Sequence, residues 1–373
     1  MSKKGKRSYD RNTPYNNLPS LPVDCDALSD KDVLLKLASA RGALGKLDGI
    51  VRTLPNPKML INSITLREAK DSSEIENIFT SNDELYEALA VETTQMSASA
   101  REVLNYREAL DKGMALLDQE NKINLETILS VFQTIEETTQ GIRPSTLPIV
   151  IRKGGSSLTS GNVVYTPPRG PDVIENLLDN WIDFVTNSEL DPLLTMAVSH
   201  YQFEAIHPFA DGNGRTGRIL NILLLKQQGL LQDPVLYLSG FIIRHKNDYY
   251  HYLSSVTERQ SWKQWFLYLL EGIEQTCNYT IDLIERINEL HQSVSDYILQ
   301  KDPKFNQEII KLLFFQPYIR AVHVVDHQAC GIKSRQGATT QLNKLVSMNM
   351  IGKKQVGRET VYINHQLMQV LSQ

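Results

Sequence analysis

Cysteine is scarce in this chain: Cys25, Cys277 and Cys330 are the three thiols among 373 residues, and they lie far apart. That spacing excludes a disulfide framework and a cysteine metal site, and it suits a reducing cytoplasm. No apolar run approaches the roughly 18 residues that a membrane-spanning helix needs. The early basic residues Lys3, Lys4, Lys6 and Arg7 precede polar residues rather than an apolar stretch, so no secretory leader is expected. Neither sign of charge dominates, with 39 Lys and Arg against 43 Asp and Glu, and no internal repeat is visible. The expectation is a soluble cytoplasmic protein without a membrane partner.

What the chain does have is apolar residues, 41% of the total, enough for a sizeable core and more than one domain. Residues 1–20 are polar and proline-containing and read as a loose arm. Residues 21–95 read as an N-terminal helical region, with a helix-like run from Asp30 to Leu54 and another starting near Pro57. Residues 96–300 read as a helical core, with helices over 101–117, 125–137, 171–187, 191–206 and 261–299. Residues 301–373 form a last, basic module.

The most specific feature is the string His207-Pro-Phe-Ala-Asp-Gly-Asn-Gly-Arg-Thr-Gly-Arg218. Ile219, Leu220, Ile222, Leu223 and Leu224 follow as a helix that buries most of its circumference, so Gly214 to Arg218 make its first turn. Unbonded amides at a helix start, together with the positive end of the dipole, form a ready anion site. Gly212 and Gly214 let an anion approach the backbone, and Arg215 and Arg218 sit three apart, able to grip phosphate oxygens. Asp211 is a hard oxygen ligand of the kind Mg²⁺ takes beside phosphates. A histidine side chain has an unperturbed pKa of about 6.5, so His207 is a group that can accept a proton at neutral pH. The set implies nucleotide-phosphate transfer with His207 as general base.

The string resembles the Fic-domain family, whose motif reads H-x-F-x-[D/E]-G-N-G-R-x-x-R, and His207, Phe209, Asp211, Gly212, Asn213, Gly214, Arg215 and Arg218 fill every fixed position. The resemblance implies a mainly α fold: a Fic helical bundle with a short β-hairpin flap, followed by a small winged helix-turn-helix domain. It implies transfer of AMP from ATP to a Ser, Thr or Tyr hydroxyl of a target protein, with release of pyrophosphate. His207 and Arg218 are then catalytic, Asp211 holds Mg²⁺, and Gly212, Asn213, Gly214, Arg215 and Arg218 hold the nucleotide phosphates. Phe209 is an anchor in the core. Relatives that have drifted to phosphorylation depart at the second loop glycine, and Gly214 is intact.

Further elements carry the same resemblance. Ser72-Ser-Glu-Ile-Glu76-Asn77 fits the family's inhibitory motif [S/T]-x-x-x-E-[G/N]. Ser72 and Glu76 fall on one helix face, and the resemblance pairs Glu76 with Arg218 in the place of the γ-phosphate. Leu147–Arg152 and Asn162–Tyr165, around a Gly/Ser-rich tip, read as a hairpin ended by Pro167 and Pro168. In the family such a flap aligns the target by strand addition, and the backbone of Asn162, Val163, Val164 and Tyr165 approaches the nucleotide. Tyr249 and Tyr250 stand where relatives carry aromatic residues near the base, and Thr257 is a weaker candidate for the same place.

Residues 301–373 hold ten Lys and Arg against four Asp and Glu, a net charge of +6. Helices at 306–315 and 319–328, a third from Ser334, and two strands within 350–363 read as a winged helix-turn-helix. Arg335, Lys344, Lys353, Lys354 and Arg358 would be its contacts if the partner were DNA. Two function classes stand: an autoinhibited AMP transferase, which includes removal of AMP with Glu76 positioning a water, and a DNA-binding regulator. A homodimer that modifies itself belongs to the first class.

Overall fold

The computed structural model describes residues 9–53, 57–90, 96–153 and 161–372. The helices in chain order are α1 (Lys31–Thr53), α2 (Pro57–Ile75), α3 (Asn82–Ala90), α4 (Ala98–Glu120) and α5 (Leu125–Ile135). The short strands β1 (Ile151–Lys153) and β2 (Asn162–Tyr165) follow, then α6 (Pro171–Asn187), α7 (Pro192–Ile206), α8 (Asn213–Gln227), α9 (Leu238–Arg244), α10 (Lys246–Arg259) and α11 (Trp262–Lys301). The chain continues through α12 (Gln307–Phe315), β3 (Tyr318–Ile319), α13 (Ala321–Asp326), α14 (Arg335–Ser347), β4 (Gly352–Val356), β5 (Glu359–Ile363) and α15 (His365–Leu371). None of the described helices is long and apolar enough to cross a membrane.

The described chain packs as two compact units. One takes the described parts of 1–46, 105–233 and 238–275, the other those of 47–104, 234–237 and 276–373. These limits differ from the boundaries expected at 95/96 and 300/301. Composition changes at those points, but α4 and α11 run on through the unit limits as unbroken helices, so texture does not mark where packing changes.

In the first unit α7 and α8 form a buried, closely packed pair joined by the loop 207–212. Asp191 caps α7 by accepting the Leu193 amide at 2.9 Å, and Pro192 supplies the fixed φ of a first helical residue. From there to Ile206 nearly every side chain is buried, which is why α7 shows apolar residues all round rather than one stripe. α6 packs on α7, and α5 on α8. The described part of the expected loose arm is fastened down instead. Leu18 and Leu21 are buried, Asn180 exchanges two hydrogen bonds with the Leu21 backbone at 2.7 and 3.0 Å, and Gln202 donates to the Pro19 carbonyl at 2.8 Å.

In the second unit α12, β3, α13, α14 and the hairpin β4–β5 follow one another, with strand order β3-β5-β4. The helices and the two longer strands follow the order expected for residues 301–373; β3, only two residues long, was too short to leave a sequence pattern. The module is not free-standing. α2 packs on α12, α3 on β3, the Tyr318 hydroxyl donates to Asp83 at 2.7 Å, and Tyr86 stacks on Tyr318.

α2 ends in a way its sequence explains. Asn77 has φ 66°, the Ile78 amide reaches back to the Ser73 carbonyl at 3.1 Å, and the Asn77 amide to that of Glu74 at 3.0 Å. This is a Schellman ending with asparagine in the left-handed position, where only Gly and Asn sit readily. Asn77→Gly is therefore expected to leave the thermal midpoint nearly unchanged. Asn77→Val should destabilise by roughly 1–2 kcal/mol, the cost of a branched side chain in that conformation, as read from denaturant unfolding.

Candidate active site

The string 207–218 is the junction between α7 and α8. His207 follows the last residue of α7 and adopts φ 50°, ψ 61°, the left-handed region. A non-glycine residue there costs roughly 1–3 kcal/mol and persists only where the surroundings over-determine it. Its own amide donates to the Phe203 carbonyl at 3.0 Å, closing the helix. The chain then turns through Pro208 and Phe209. Phe209 is fully buried and stacks on Phe132 with ring centres 3.8 Å apart, so it is a core anchor.

The loop is locked from within. The Asn213 side chain accepts from the Phe209 amide at 2.9 Å and donates to its carbonyl at 3.0 Å. Asp211 is exposed and its Oδ1 accepts the Gly212 amide at 2.7 Å. Gly212, with φ 70°, is the residue before the first turn of α8. Asn213, the first residue of α8, is thus a loop lock. The first amides of α8 have no partner within the helix and point back along its axis.

Two buried arginines flank this helix start. Arg215 is 4% exposed and its Nη2 donates to Glu136 Oε1 at 2.7 Å; Arg218 is 2% exposed. Glu136, at the end of α5, escaped sequence reading because a single acid after a helix carries no pattern. Its carboxylate lies so close to Gly212 that a Cβ there would collide with it. Gly217 is constrained too: a Cβ would sit 2.6 Å from Glu204 Oε1 and 3.2 Å from the Phe203 ring, so α7 and α8 approach closely here.

Arg143 was also missed. It is 2% exposed, and burial draws its pKa downward. Nε donates to the His207 carbonyl at 2.8 Å, and Nη2 to those of Pro168 at 2.5 Å and Ile206 at 3.5 Å. Its amide donates to the Pro208 carbonyl at 3.0 Å. No spacing links positions 64 residues apart.

The expected flap exists as β1 paired antiparallel with β2, with a register irregularity between Ile151 and Arg152. Its first strand starts at Ile151 rather than Leu147, and the tip at 154–160 lies outside the described residues. Asn162 is exposed, Val163 and Val164 are half-buried, and Tyr165 is buried with its hydroxyl on the Ala205 carbonyl at 2.7 Å. The Tyr9 hydroxyl donates to the Val164 carbonyl at 3.1 Å, and Tyr9, Tyr15 and Tyr165 form a ring cluster.

The adenine expectations divide. Tyr249 is 2% exposed and its hydroxyl lies 2.9 Å from His200 Nε2, so it is a core residue and not an open stacking face. Tyr250, 41% exposed, presents its ring to solvent. Thr257 is taken up by the Tyr201 hydroxyl at 2.9 Å. In the second unit Ser72 is fully buried on α2, while Glu76 falls in the turn just after α2 and Asn77 is its exposed left-handed stop. Among the described residues no cluster of three or more His, Cys, Asp or Glu is arranged to hold a metal.

His200 stacks on Trp265 behind α8, and its pKa is lowered to about 3 by burial and then by Arg218. A neutral imidazole there spares the helix start a further buried cation.

The fold and this junction define a class: a helical bundle whose central helix pair carries a histidine ahead of an arginine-flanked helix start. Residues 122–225 match the Fic/DOC family model, 34–115 the Fic/DOC family N-terminal model, and 290–367 that of the C-terminal domain of SoFic-like protein adenylyltransferases. The chain carries a Fic/DOC domain followed by a SoFic-like C-terminal domain. It is 27% identical over 252 residues to the protein adenylyltransferase Fic of Drosophila mojavensis, and 28% identical over 252 residues to that of Drosophila yakuba. Each match takes 62% of this chain and 47% of the relative, so the chain spans about half the length of the curated relatives it matches. In fold it is similar to a Fic family protein from Desulfovibrio desulfuricans G20, with TM-score 0.57 at 17% identity over 93% of this chain and 98% of the other. A fragment of Fic-1 from C. elegans gives TM-score 0.51 at 18% identity, over 67% and 72% of the two chains.

Two outcomes are expected. Gly212→Ala, strained in φ and pressed on Glu136, should destabilise the fold by roughly 1–3 kcal/mol in denaturant unfolding. For His200, the unfolded chain takes up a proton near pH 6.5 that the folded one refuses until about pH 3. Stability should therefore fall as pH drops through that window, and His200→Gln should flatten the dependence in denaturant titrations.

Proposed function

We propose that this protein transfers AMP from ATP to a hydroxyl of a target protein and releases pyrophosphate. The observation that carries the reading is the junction itself: every fixed position of the Fic motif stands around one helix start, with the histidine directly ahead of it. The relatives are named protein adenylyltransferases, which supports the same class of reaction.

In this reading His207 takes the proton of the target hydroxyl as that oxygen attacks the α-phosphorus of ATP in line. The α8 amides with Gly212 and Gly214, Arg215 and Arg218 hold the phosphates and the charge that grows on leaving pyrophosphate. Mg²⁺ supplies charge neutralisation on the phosphates when bound. The exposed Asp211 carboxylate, at the head of the loop, is the oxygen donor that fits it. The flap supplies main-chain groups to align the target segment, with Asn162, Val163 and Val164 along its second strand. Tyr250 is the remaining aromatic for the base, since Tyr249 is committed to the core.

Autoinhibition is part of the proposal. Glu76 follows the C-terminal end of α2, where the helix dipole disfavours a carboxylate and so strengthens its demand for a cation. Arg218, the motif's last arginine, is the partner the family resemblance gives it, in competition with the γ-phosphate. Removal of AMP, with Glu76 positioning a water, uses the same groups and is the variant of this reading. The cellular setting proposed is the cytoplasm, and self-modification within a homodimer is one form the target can take.

A second reading has one observation in its favour. The face of α14 bearing Arg335, Gln336, Thr340, Asn343 and Lys344 is exposed, with Lys353 and Arg358 exposed on the wing, as a duplex-reading helix requires. Against it, Lys344 is paired with Asp302 and Lys354 with Glu87, which takes two charges out of the available patch. The DNA-binding regulator therefore ranks below the transferase.

With α-³²P-labelled ATP and Mg²⁺, the wild type is expected to put label on protein, Glu76→Gly to label more strongly, and His207→Ala not to label at all. Equal labelling by His207→Ala would overturn the role of the base. Weaker labelling by Glu76→Gly at every metal concentration would overturn the inhibitory role and favour a catalytic one for Glu76.

A further inference from the structure

Five consecutive residues, from the last turn of α7 into the loop, have their carbonyls claimed by donors from other parts of the first unit. The Ala205 carbonyl takes the Tyr165 hydroxyl at 2.7 Å. Ile206 and His207 take Arg143 Nη2 and Nε at 3.5 and 2.8 Å, and Pro208 takes the Arg143 amide at 3.0 Å. Phe209 is held at both its amide and its carbonyl by Asn213. The central member of the five is the residue with φ 50°.

The carbonyls at the end of an α-helix lack partners within it, and a basic side chain commonly bonds them. Arg143 does more than cap. Its guanidinium is buried and its bonds go to neutral carbonyls, three of them, including Pro168 at 2.5 Å. A methionine of similar length would fill the space without burying a charge. What methionine lacks is a rigid planar fork that holds carbonyls of the 206–208 turn and of the segment after the flap at once. Where a side chain leaves its backbone depends on φ and ψ, so whatever holds residue 207 left-handed also sets the direction of its imidazole.

We propose that Arg143 is a positioning residue for His207: with Tyr165 as second member, it clamps the left-handed turn so that the imidazole faces the anion site at the start of α8. Arg143 acts through the His207 backbone and touches no nucleotide. The proposal rests on His207 as the base of the transfer proposed above. It also assigns Tyr165 a role its place on the flap strand conceals: its hydroxyl is a strut on α7.

The test compares wild type, Arg143→Lys, Tyr165→Phe, His207→Ala and the double variant Arg143→Lys/His207→Ala, all as full chains. Lysine keeps the charge but reaches fewer carbonyls; phenylalanine removes one hydroxyl and keeps the ring, which covers the case in which Arg143→Lys fails to fold. Arg143→Lys is expected to lower the AMP-transfer rate on the order of 100-fold, as a displacement near 1 Å does, with ATP affinity within about twofold of wild type. Tyr165→Phe should lose rate in the same direction by a smaller factor. In the His207→Ala background, Arg143→Lys should cost ATP binding nothing further, because its effect passes through the missing ring. The His207 ring resonances should shift and broaden in Arg143→Lys by NMR.

Wild-type rates in Arg143→Lys and Tyr165→Phe overturn the proposal, as does a parallel loss of ATP affinity and rate, the sign of a general structural role. If the wild type transfers no label, the transferase reading fails by itself. The ring resonances then still decide the clamp: shifted in Arg143→Lys they uphold it, unchanged they end it.

Discussion

The left-handed backbone at His207 is the constraint on which the first unit is arranged. To break α7 there, the chain leaves a run of helix-end carbonyls facing the interior, where unpaired carbonyls are costly. Arg143 and Tyr165 supply donors to these carbonyls, and this is what draws them in beside the end of α7. The flap strand ends at Tyr165 for the same reason, since its last side chain is also a strut. Phe209 then anchors the turn against Phe132, and Asn213 ties the loop to the start of α8. The backbone of His207 is thus held at both its amide and its carbonyl.

Charge completes the arrangement. Arg143, Arg215 and Arg218 are each at most 4% exposed within one region of the fold. In such surroundings an anion is worth more than in water, because few solvent dipoles compete for it. Each arginine serves differently: Arg143 is spent on carbonyls, Arg215 is held by Glu136, and Arg218 lies near His200, which burial keeps neutral. The positive end of α8 adds to their field.

The second unit has its own logic. α2 packs on α12 and α3 on β3 rather than standing as a separate region, so the helix that leads to Glu76 shares a core with α12. The basic balance of residues 301–373 is partly answered by acids from elsewhere, Glu87 of α3 among them. A net charge counted along the sequence therefore overstates what that surface offers to a polyanion.

The mainly helical character, most of the long helices and the 207–218 string were legible in the sequence, because apolar periodicity, caps and glycines act over a few residues. The predicted helix at 171–187 and the one ending at 206 match α6 and α7 to within a residue. Arg143, Glu136, the core role of Tyr249, the strut from Tyr165 and the fastened segment 9–21 could not. Each depends on a contact between residues tens to more than a hundred positions apart, where a lone polar side chain has no pattern of its own. By itself the sequence determined which groups could do chemistry and on which helix ends they stand. Only the tertiary structure decided which of those groups are engaged and what holds the histidine in its turn, because burial and distant hydrogen bonds exist only once the chain has closed around them.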